Sequence, residues 1–454
     1  MTIPSDTSAP ATDSLNFRSI DFRGRNLSLA ELRAAVPRAQ HQTLADAEHK
    51  VLDVIADVRS RGFAALGDLA RNFDGVEQSH PRVPAEAIAK ALDELDPSVR
   101  AALEESIHRA RQFAERQRPA NVDVSLADGA VVSQNWIPVG RVGLYVPGGL
   151  APLASSVIMN VVPAVAAGVE SIALASPPQK DFGGLPHPTI LAAASLLGIE
   201  EVYAIGGAQA IVSFAYGIPG GGGELPIEPV DVVTGPGNIF VATAKRLVKG
   251  VVGIDSEAGT TEIAILADSS AQAPLVAADL ISQAEHDPKA ASVLVTDSPE
   301  LADAVVVELG RQAAATKHSG RVFEALSGPQ SGVVLVDDIE QGIAVCNAYA
   351  AEHLEIMTAD APAVAGRIRN AGAIFVGDYS PVSLGDYCAG SNHVLPTSGT
   401  AAFSSGLNVT TFLRAVQVIN YDRAALEQVS SHIVSLSGAE DLPGHGEAVK
   451  IRFA

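Results

Sequence analysis

Polar side chains that could bind a metal or transfer a proton occur at four points where the surrounding apolar residues need no such group for packing. They are Gln283 with His286, the adjacent pair Glu352–His353, Asp386, and His445. Gln283 and His286 lie three residues apart on a segment with helical apolar spacing, so both project from one face. An amide oxygen and an imidazole there, with a carboxylate and a second imidazole from elsewhere, predict a four-ligand site for zinc or a similar divalent ion.

The Glu352–His353 pair comes directly before a predicted strand at Leu354–Met357. Adjacent residues of a regular strand point to opposite faces, so both can reach one substrate only where the backbone is irregular. As a functional pair they would be a general acid and base, one accepting a proton and the other activating water. The alternative is a solvated loop carboxylate beside a capping histidine.

The remaining polar candidates also have ordinary structural interpretations. Gln283 and His286 could form a polar helix edge near the end marked by Asp287–Pro288. Asp386 could belong to an Asx turn, because it lies between Gly385 and Tyr387. His393 and His445 could be exposed loop histidines. Nothing nearby marks Cys388 as an activated nucleophile, so we interpret it as inert.

Glycine-rich turns follow three predicted strands of the first half of the chain. They read V-P-G-G (146–149), I-G-G-A-Q-A (205–210) and T-G-P-G-N (234–238). Ligands of open α/β sheets bind outside the carboxyl ends of the strands, where glycine admits close backbone approach and helix N-termini face anions. None of the three is the G-x-G-x-x-G dinucleotide motif. Tight turns without a ligand explain each of them equally well.

Apolar strands alternating with helical segments indicate an α/β fold with two tandem doubly wound parallel-sheet units, each an incomplete Rossmann-like unit. The first series has predicted strands at 142–146, 171–175, 202–205, 231–234 and 251–254 and helices at 155–167, 189–197, 208–215 and 239–248. The second has predicted strands at 263–267, 292–296, 333–336, 354–357 and 373–376 and helices at 275–284, 299–314, 339–349 and 361–370. The similarity of the two series suggests an internal duplication without demonstrating one.

Five regions follow from these patterns. We expect a disordered tail (1–15), a helical N-terminal region packing with the second α/β unit (16–141), a first α/β unit (142–262), a second (263–407) and a small C-terminal extension (408–454). In the N-terminal region, Ser28 with Glu31 has the capping-box pattern, and amphipathic helices are predicted over 45–73 and 84–118. A loop-rich stretch after Asp378 precedes one C-terminal helix at 423–437.

Composition excludes several classes of protein. The formal charge of −21 argues against nucleic acid or an anionic membrane surface as the main partner. The most apolar window, 157–175, is interrupted by Asn160, Pro163, Gly168 and Glu170 and is too broken to span a bilayer. Cys346 and Cys388 cannot form a disulfide framework. We therefore expect a cytoplasmic protein with reduced cysteines.

Taken together, these strings resemble the histidinol dehydrogenase family. The matching pieces are G-R-V-G-L-Y-V-P-G-G (140–149), G-G-A-Q-A-I (206–211), G-P-G-N (235–238), S-Q-A-E-H (282–286), E-H-L (352–354), G-D-Y (385–387), S-N-H-V-L-P-T (391–397) and S-S-G-L (404–407). They occur in the family's order over about residues 45–450. So many motifs in sequence make the match far more specific than any one of them.

The resemblance implies an NAD-dependent, zinc-containing homodimer that oxidises L-histidinol to L-histidine through L-histidinaldehyde. It implies that the first α/β unit binds NAD and that the second holds zinc and the catalytic pair, Glu352 and His353. By position, the implied zinc ligands are Gln283, His286, Asp386 and His445, which also contact the substrate together with Thr261, His353, His393 and Glu440. The implied nucleotide contacts are Tyr145, Gln209 and Asn238. The C-terminal histidine would act in the site of the partner subunit.

Two departures from the family pattern bear on these expectations. The segment E-A-G-T-T-E (257–262) stands where P-A-G-P-S-E is frequent, which places Thr261 at a substrate-contacting serine and retains a hydroxyl. A-A-E-H replaces G-P-E-H and spares the acid and the base. We hypothesise that zinc anchors the substrate, that His353 removes the hydroxyl proton, and that Glu352 activates water.

Two rival hypotheses stay open at this point. One keeps the scaffold and changes the substrate to another small amino alcohol or diol. The other is a non-redox metal-dependent hydrolase or metal-binding module.

Overall fold

The structure, a computed structural model, describes residues 15–38, 44–148, 152–220, 225–257 and 259–454. Nearly all of the predicted tail, residues 1–14, lies outside the described residues. The strands are β1 (Ser19–Asp21), β2 (Val122–Ala127), β3 (Ala130–Pro138), β4 (Arg141–Tyr145), β5 (Ser171–Ser176), β6 (Val202–Ala204), β7 (Val232–Thr234), β8 (Gly253–Ile254), β9 (Glu262–Ala267), β10 (Ala291–Thr296), β11 (Gly332–Leu335), β12 (His353–Met357), β13 (Ala373–Val376) and β14 (Leu413–Tyr421).

The helices alternate with these strands through both halves of the chain. They are α1 (Leu29–Ala35), α2 (Leu44–Arg61), α3 (Phe63–Leu69), α4 (Ala85–Asp93), α5 (Pro97–Gln117), α6 (Ala154–Ala167), α7 (Pro188–Leu196), α8 (Gly207–Tyr216), α9 (Ile239–Val248), α10 (Ala273–Ala284), α11 (Pro299–Ala315), α12 (Ser319–Ser327), α13 (Ile339–Tyr349), α14 (Ala361–Ala365), α15 (Val382–Tyr387), α16 (Arg423–Ala439) and α17 (Pro443–Lys450). Ser28 caps α1, and its capping box with Glu31 is present as predicted.

The first parallel sheet has the strand order β6-β5-β4-β7-β8. Numbered within the unit, this is 3-2-1-4-5, the order of a Rossmann sheet that lacks its sixth strand. Helices cover the sheet because its strands are apolar and buried, as parallel sheets require. The ends of the predicted strands and helices of this unit lie within about two residues of those observed.

The second parallel sheet repeats that order in β11-β10-β9-β12-β13. The short N-terminal strand β1 adds to it as an edge strand beside β11. The fold prediction of two tandem, incomplete Rossmann-like units is therefore confirmed. Sharing one strand order is what an internal duplication would produce, and that origin stays a prediction.

The N-terminal region divides between the two units. Its strand β1 and helix α1 lie against the second unit, where α1 contacts α13. Its longer helices lie against the first unit, with α2 on α8 and α9, α4 on α7, and α5 on α6. The prediction that residues 16–141 pack with the second unit is thus wrong for most of that region. An amphipathic pattern shows that a helix has a buried face without showing which neighbour covers it.

An antiparallel sheet joins the N-terminal region to the C-terminal extension. Its order is β14-β3-β2, and β14 pairs with the whole of β3, from Leu413 opposite Pro138 to Tyr421 opposite Ala130. Sequence reasoning did not predict this pairing. Helices α16 and α17 pack against each other beyond it. Among the described residues, no helix is long and apolar enough to cross a membrane.

Candidate functional site

Glu352 and His353 lie at the amino-terminal edge of the second sheet. His353 is the first residue of β12, and its neighbour β9 begins at Glu262, with His353 beside Ile263 in the parallel register. The pair therefore sits where the regular strand starts, which is the irregular position that a shared target requires. Both residues are buried, with 7% and 5% of their surface exposed. The interpretation as a solvated loop carboxylate beside a capping histidine is wrong.

Two donors hold one oxygen of the Glu352 carboxylate. Its Oε2 accepts hydrogen bonds from the Thr261 hydroxyl at 2.6 Å and from the Glu262 backbone N–H at 2.9 Å. Burial raises the pKa of Glu352 to about 7, although these two hydrogen bonds act in the opposite direction. A carboxylate with a pKa near neutrality can accept a proton from water and release it again.

The His353 ring is oriented by a backbone carbonyl. Its Nδ1 lies 3.2 Å from the carbonyl oxygen of Glu262. A carbonyl oxygen only accepts, so Nδ1 carries the hydrogen and Nε2 keeps the lone pair. Among the described residues, Nε2 is buried and has no hydrogen-bond partner. Burial lowers the pKa of His353, which favours the neutral imidazole that a general base needs.

Gln283 extends this cluster from the last turn of α10. Its Nε2 donates to the Thr261 hydroxyl oxygen at 2.5 Å, and that hydroxyl in turn donates to Glu352. The amide orientation is thereby fixed, and its Oε1 is left buried without a hydrogen-bond partner among the described residues. A buried, unpartnered amide oxygen is uncommon and points to a ligand that the protein itself does not supply.

His286, Asp386 and His393 meet beside this cluster. The Nε2 of His286 lies 3.9 Å from Asp386 Oδ2, and the Nδ1 of His393 lies 3.7 Å from Asp386 Oδ1. His393 Nδ1 also lies 3.0 Å from the Asp386 backbone carbonyl oxygen. Asp386 belongs to helix α15, so the Asx-turn interpretation is wrong. His393 is partly buried rather than plainly exposed.

His445 and Glu440 lie apart from these residues in the chain's own fold. Both are exposed, His445 on α17 and Glu440 at the end of α16. Neither shares a hydrogen bond or an ion pair with the Gln283 cluster within the part of the chain that is described. Their part in the site, through a partner subunit, stays a prediction.

The donors at this edge fit a divalent cation. Gln283 Oε1, the His286 imidazole and the Asp386 carboxylate are the nitrogen and oxygen donors that zinc accepts. Because α10 runs antiparallel to the strands, its C-terminal end, with its partial negative charge, lies at the same edge and favours a cation. In the described ranges, no group of three or more His, Cys, Asp or Glu side chains converges in a way that could hold a metal.

The three predicted nucleotide contacts lie at the carboxyl-terminal edge of the first sheet. Tyr145 ends β4, and its hydroxyl accepts a hydrogen bond from the Gly207 N–H at 3.1 Å. Gln209 lies in the first turn of α8. Asn238 caps α9, and its Oδ1 accepts from the backbone N–H groups of the first turn. Two helix N-termini therefore face this edge, which favours an anionic group such as a phosphate.

The G-P-G-N turn at this edge is held by a buried ion pair. Lys245 Nζ lies 2.5 Å from Asp255 Oδ1 and donates to the Gly235 carbonyl oxygen at 2.9 Å. Asp255 Oδ2 accepts from the Gly235 N–H at 2.9 Å. Gly235 has a φ of +122°, and a Cβ there would lie 2.0 Å from the Tyr145 carbonyl oxygen. Only glycine fits at this position. Gly149, the last residue of V-P-G-G, lies outside the described residues.

Sequence reasoning missed three residues around these two edges, namely Glu262, Lys245 and Asp255. Glu262 contacts both members of the acid–base pair through its backbone. The signal for it was present, because Glu262 opens the otherwise apolar run E-I-A-I-L-A. Lys245 is buried and is followed directly by Arg246, so the sequence did not show which of these two cations would be the buried, paired one.

An acid–base pair beside buried, unpartnered polar atoms, on two incomplete Rossmann-like units, is compatible with an α/β enzyme of the dehydrogenase type. A sequence profile described as "Histidinol dehydrogenase" matches residues 37–453. The chain is 60% identical over 442 residues to the histidinol dehydrogenase of Nocardia farcinica (97% of this chain, 99% of the relative). It is 62% identical over 434 residues to that of Thermobifida fusca (96% and 97%).

A solved structure agrees with these sequence matches. The crystal structure of histidinol dehydrogenase from Elizabethkingia anophelis superposes with a TM-score of 0.88 at 30% identity, covering 96% of this chain and 98% of that one. The chain belongs to the histidinol dehydrogenase family and is an oxidoreductase.

Proposed function

We propose that this chain catalyses the NAD-dependent, four-electron oxidation of L-histidinol to L-histidine through L-histidinaldehyde, with one Zn²⁺ per subunit. The proposal rests on two buried atoms of the hydrogen-bonded cluster around Thr261 that have no hydrogen-bond partner among the described residues. They are the Nε2 of His353, which can take a proton, and the Oε1 of Gln283, which can bind a cation. The relatives named as histidinol dehydrogenases supply the substrate.

Gln283, His286 and Asp386 would hold the metal, with His445 of a second subunit as the fourth ligand. Zn²⁺ has no redox chemistry, so when bound it supplies electrostatic anchoring for the amino and imidazole nitrogens of the substrate. Few of its ligands carry charge, which keeps the ion electrophilic. His393 and Glu440 would contact the substrate around it.

Tyr145, Gln209 and Asn238 would hold NAD⁺ at the carboxyl edge of the first sheet. The bound nicotinamide is the acceptor for two electrons and one hydrogen in each oxidation. Close approach of the backbone at Gly235 and the N-termini of α8 and α9 support this assignment.

In the alcohol step, His353 Nε2 takes the hydroxyl proton while the carbon loses a hydride, and the C–O bond becomes a carbonyl. In the aldehyde step, Glu352 takes a proton from water, whose oxygen bonds to the carbonyl carbon before the second hydride leaves. The overall change is one histidinol, one water and two NAD⁺ to one histidine, two NADH and three protons. Thr261 and Glu262 hold Glu352 on one oxygen only, so its other oxygen remains available to water.

The position of the C-terminal extension supports a homodimer with a shared site. The outer surface of the antiparallel sheet and of the last helices exposes large apolar side chains, including Leu126 at 60%, Ile419 at 70% and Leu436 at 65%. Large exposed apolar side chains of this kind are typical of a protein–protein interface. A second copy lying on it would bring His445 and Glu440 to the metal donors of its partner.

The substrate is tested by the NADH yield. Limiting L-histidinol should give two NADH for each molecule consumed, and metal-stripped protein should recover activity when Zn²⁺ is added back. One NADH per substrate, or better turnover of another amino alcohol, would support the rival dehydrogenase. Expression in a histidine auxotroph tests the activity in a cell, with Glu352→Gln as the inactive control.

The shared site is tested by mixing two inactive variants. Glu352→Gln and His445→Ala lie on different subunits of one site under this proposal. Random re-association of the two should restore about one quarter of the wild-type activity, because half of the dimers contain one intact site. No recovery after exchange, with heterodimers demonstrated by differential tags, would contradict a shared site.

A further inference from the structure

Glu262 contacts both proposed catalytic residues through its own peptide groups. Its N–H donates to Glu352 Oε2 at 2.9 Å, and its carbonyl oxygen lies 3.2 Å from His353 Nδ1. The position of one residue thus determines how the carboxylate is held and which tautomer the imidazole adopts. A rotation or shift of the Glu262 backbone would disturb both at once.

The peptide groups of Glu262 contact Glu352 and His353, so contacts of its side chain can hold the residue in position from outside the strand. It is 4% exposed and lies opposite the Arg38 guanidinium, with Arg38 Nη1 3.8 Å from Glu262 Oε2. Burial raises the pKa of Glu262 to about 7, while Arg38 and the backbone amides of Ser398 and Gly399 act to lower it. Arg38 is therefore the cation that favours the charged form of this buried carboxylate.

Arg38 comes from a different part of the chain and is itself held in place. Its guanidinium carbon lies 4.4 Å from the centre of the Tyr349 ring, a cation–π contact. Gly399 leaves room for the Arg38 guanidinium, since a Cβ at Gly399 would lie 3.0 Å from Arg38 Nη1. Gly399 follows Ser398, and both have positive φ, so a tight turn of the 391–399 loop closes over the Glu262 carboxylate.

Arg38 is linked to the acid–base pair through Glu262. Arg38 lies three residues after the end of α1, outside both parallel sheets and outside the helices. The carboxylate that it faces belongs to the residue whose two peptide groups contact Glu352 and His353. A pair that served packing alone would gain more from apolar side chains of the same volume.

We propose that Arg38 and Glu262 are a positioning pair for the catalytic residues. The Arg38 guanidinium anchors the Glu262 side chain, and the Glu262 peptide groups then hold Glu352 and keep the hydrogen of His353 on Nδ1. The inference rests on the proposed roles of Glu352 and His353. It adds two residues, one of them from the N-terminal segment, that touch neither substrate nor cofactor.

Kinetics of Arg38→Ala, Arg38→Lys and Glu262→Gln test the pair, with the exposed Arg33→Ala as a matched control. We expect kcat to fall about 10- to 100-fold in Arg38→Ala and Glu262→Gln with KM for histidinol nearly unchanged, as a small misplacement of catalytic groups produces. Arg38→Lys should retain more activity than Arg38→Ala. Millimolar guanidinium should partly restore Arg38→Ala and leave Glu262→Gln unaffected. Melting temperature and bound zinc are measured for every variant.

A second readout does not depend on turnover. In ¹⁵N-histidine-labelled protein, with His353→Asn for assignment, His353 should show the Nδ1–H tautomer in the wild type and a mixture of tautomers in Arg38→Ala. An unchanged tautomer together with wild-type kcat in Arg38→Ala overturns the positioning role. So does a loss of kcat that follows the melting temperature and does not respond to guanidinium. Wild-type protein inactive on histidinol would overturn the proposed function instead, and the tautomer measurement would still decide the role of Arg38.

Discussion

The two α/β units share a strand order, yet they present opposite edges to their proposed ligands. In the first unit, Tyr145, Gln209 and Asn238 lie where the strands end. In the second, Glu352 and His353 lie where β12 begins, and Gln283 lies at the C-terminal end of α10. The general rule that ligands bind outside the carboxyl ends of parallel strands holds for the first unit only.

Electrostatics explains why each edge suits its ligand. The carboxyl edge of a parallel sheet gathers helix N-termini, which favour anions, whereas the amino edge gathers helix C-termini, which favour cations. A phosphate-bearing nucleotide matches the first edge and a divalent metal matches the second. One fold therefore offers two kinds of site, and the polar side chains decide which edge is used.

The edges also differ in what forms them. The first is built mainly from backbone, with Gly235 held on both sides by Lys245 and Asp255. The second is built from buried side chains that bond one another through Thr261. Substitutions at the first edge should therefore act through chain geometry, and those at the second through the chemistry of individual atoms.

The largest expected effect is at the second edge. His353→Asn should lower kcat for histidinol by about 10²- to 10⁴-fold, because the lone pair that accepts the hydroxyl proton is lost. Glu352→Gln should slow the oxidation of supplied L-histidinaldehyde more than that of histidinol, because it removes the base for water. Single-turnover NADH formation from each substrate separates the steps. His318→Asn, at an exposed site, is the control. Equal losses in both steps for both variants would contradict the assigned roles.

At the first edge, Gly235→Ala should raise the KM for NAD⁺ by about tenfold or more, because the new Cβ would displace the turn from the Tyr145 carbonyl. Zinc binding at the second edge should be retained. Gly250→Ala is a matched control, since it also has a positive φ, +103°, but no atom within 4 Å. An equal loss of NAD⁺ affinity in both variants would mean that backbone strain, and not the close approach to Tyr145, causes the loss. Normal affinity in both would contradict the prediction.

Behind the second edge, a buried acid pair should make stability depend on pH. Burial and the neighbouring Asp279 raise the pKa of Glu355, and burial raises that of Asp279. In the folded state this pair therefore binds more protons than in the unfolded state. Its contribution to the free energy of unfolding is fully present below the ordinary carboxyl pKa of about 4 and is lost as pH rises. Glu355→Gln should reduce that fall by on the order of 1–3 kcal/mol.

Urea midpoints at pH 5 and pH 8.5 measure this difference. Glu324→Gln, which removes an exposed carboxylate of α12, should keep the wild-type slope. A Glu355→Gln variant with an unchanged slope would mean that the acid pair is not linked to folding.

The smallest expected effect is that of Thr261→Ser. Serine retains the hydroxyl that accepts from Gln283 and donates to Glu352, so kcat/KM should change by roughly twofold or less. Thr261→Ala should lose much more, because Glu352 loses a donor and the Gln283 amide loses its anchor. Similar activities for the two variants would show that the bridging hydroxyl does not order the site.

The alternation of apolar segments predicted both sheets well, because strands buried on two faces read as continuous apolar runs. The same reasoning failed for the antiparallel pairing of β14 with β3 and for the neighbours of α2, α4 and α5. These depend on which surfaces meet, and a local pattern contains no such information. The alternative interpretation of Asp386 as an Asx-turn residue also failed, because contacts with α10 support the short helix α15 there.

The sequence alone determined the tandem α/β architecture and, through its motifs, the family and the residues worth testing. It could do so because periodicity and motif order are properties of the chain itself. Only the tertiary structure decided that Thr261 and Glu262 link Gln283 to the acid–base pair and that Arg38 faces Glu262. Those relations join residues tens to hundreds of positions apart, and spacing along a chain does not encode distances of 3 Å between them.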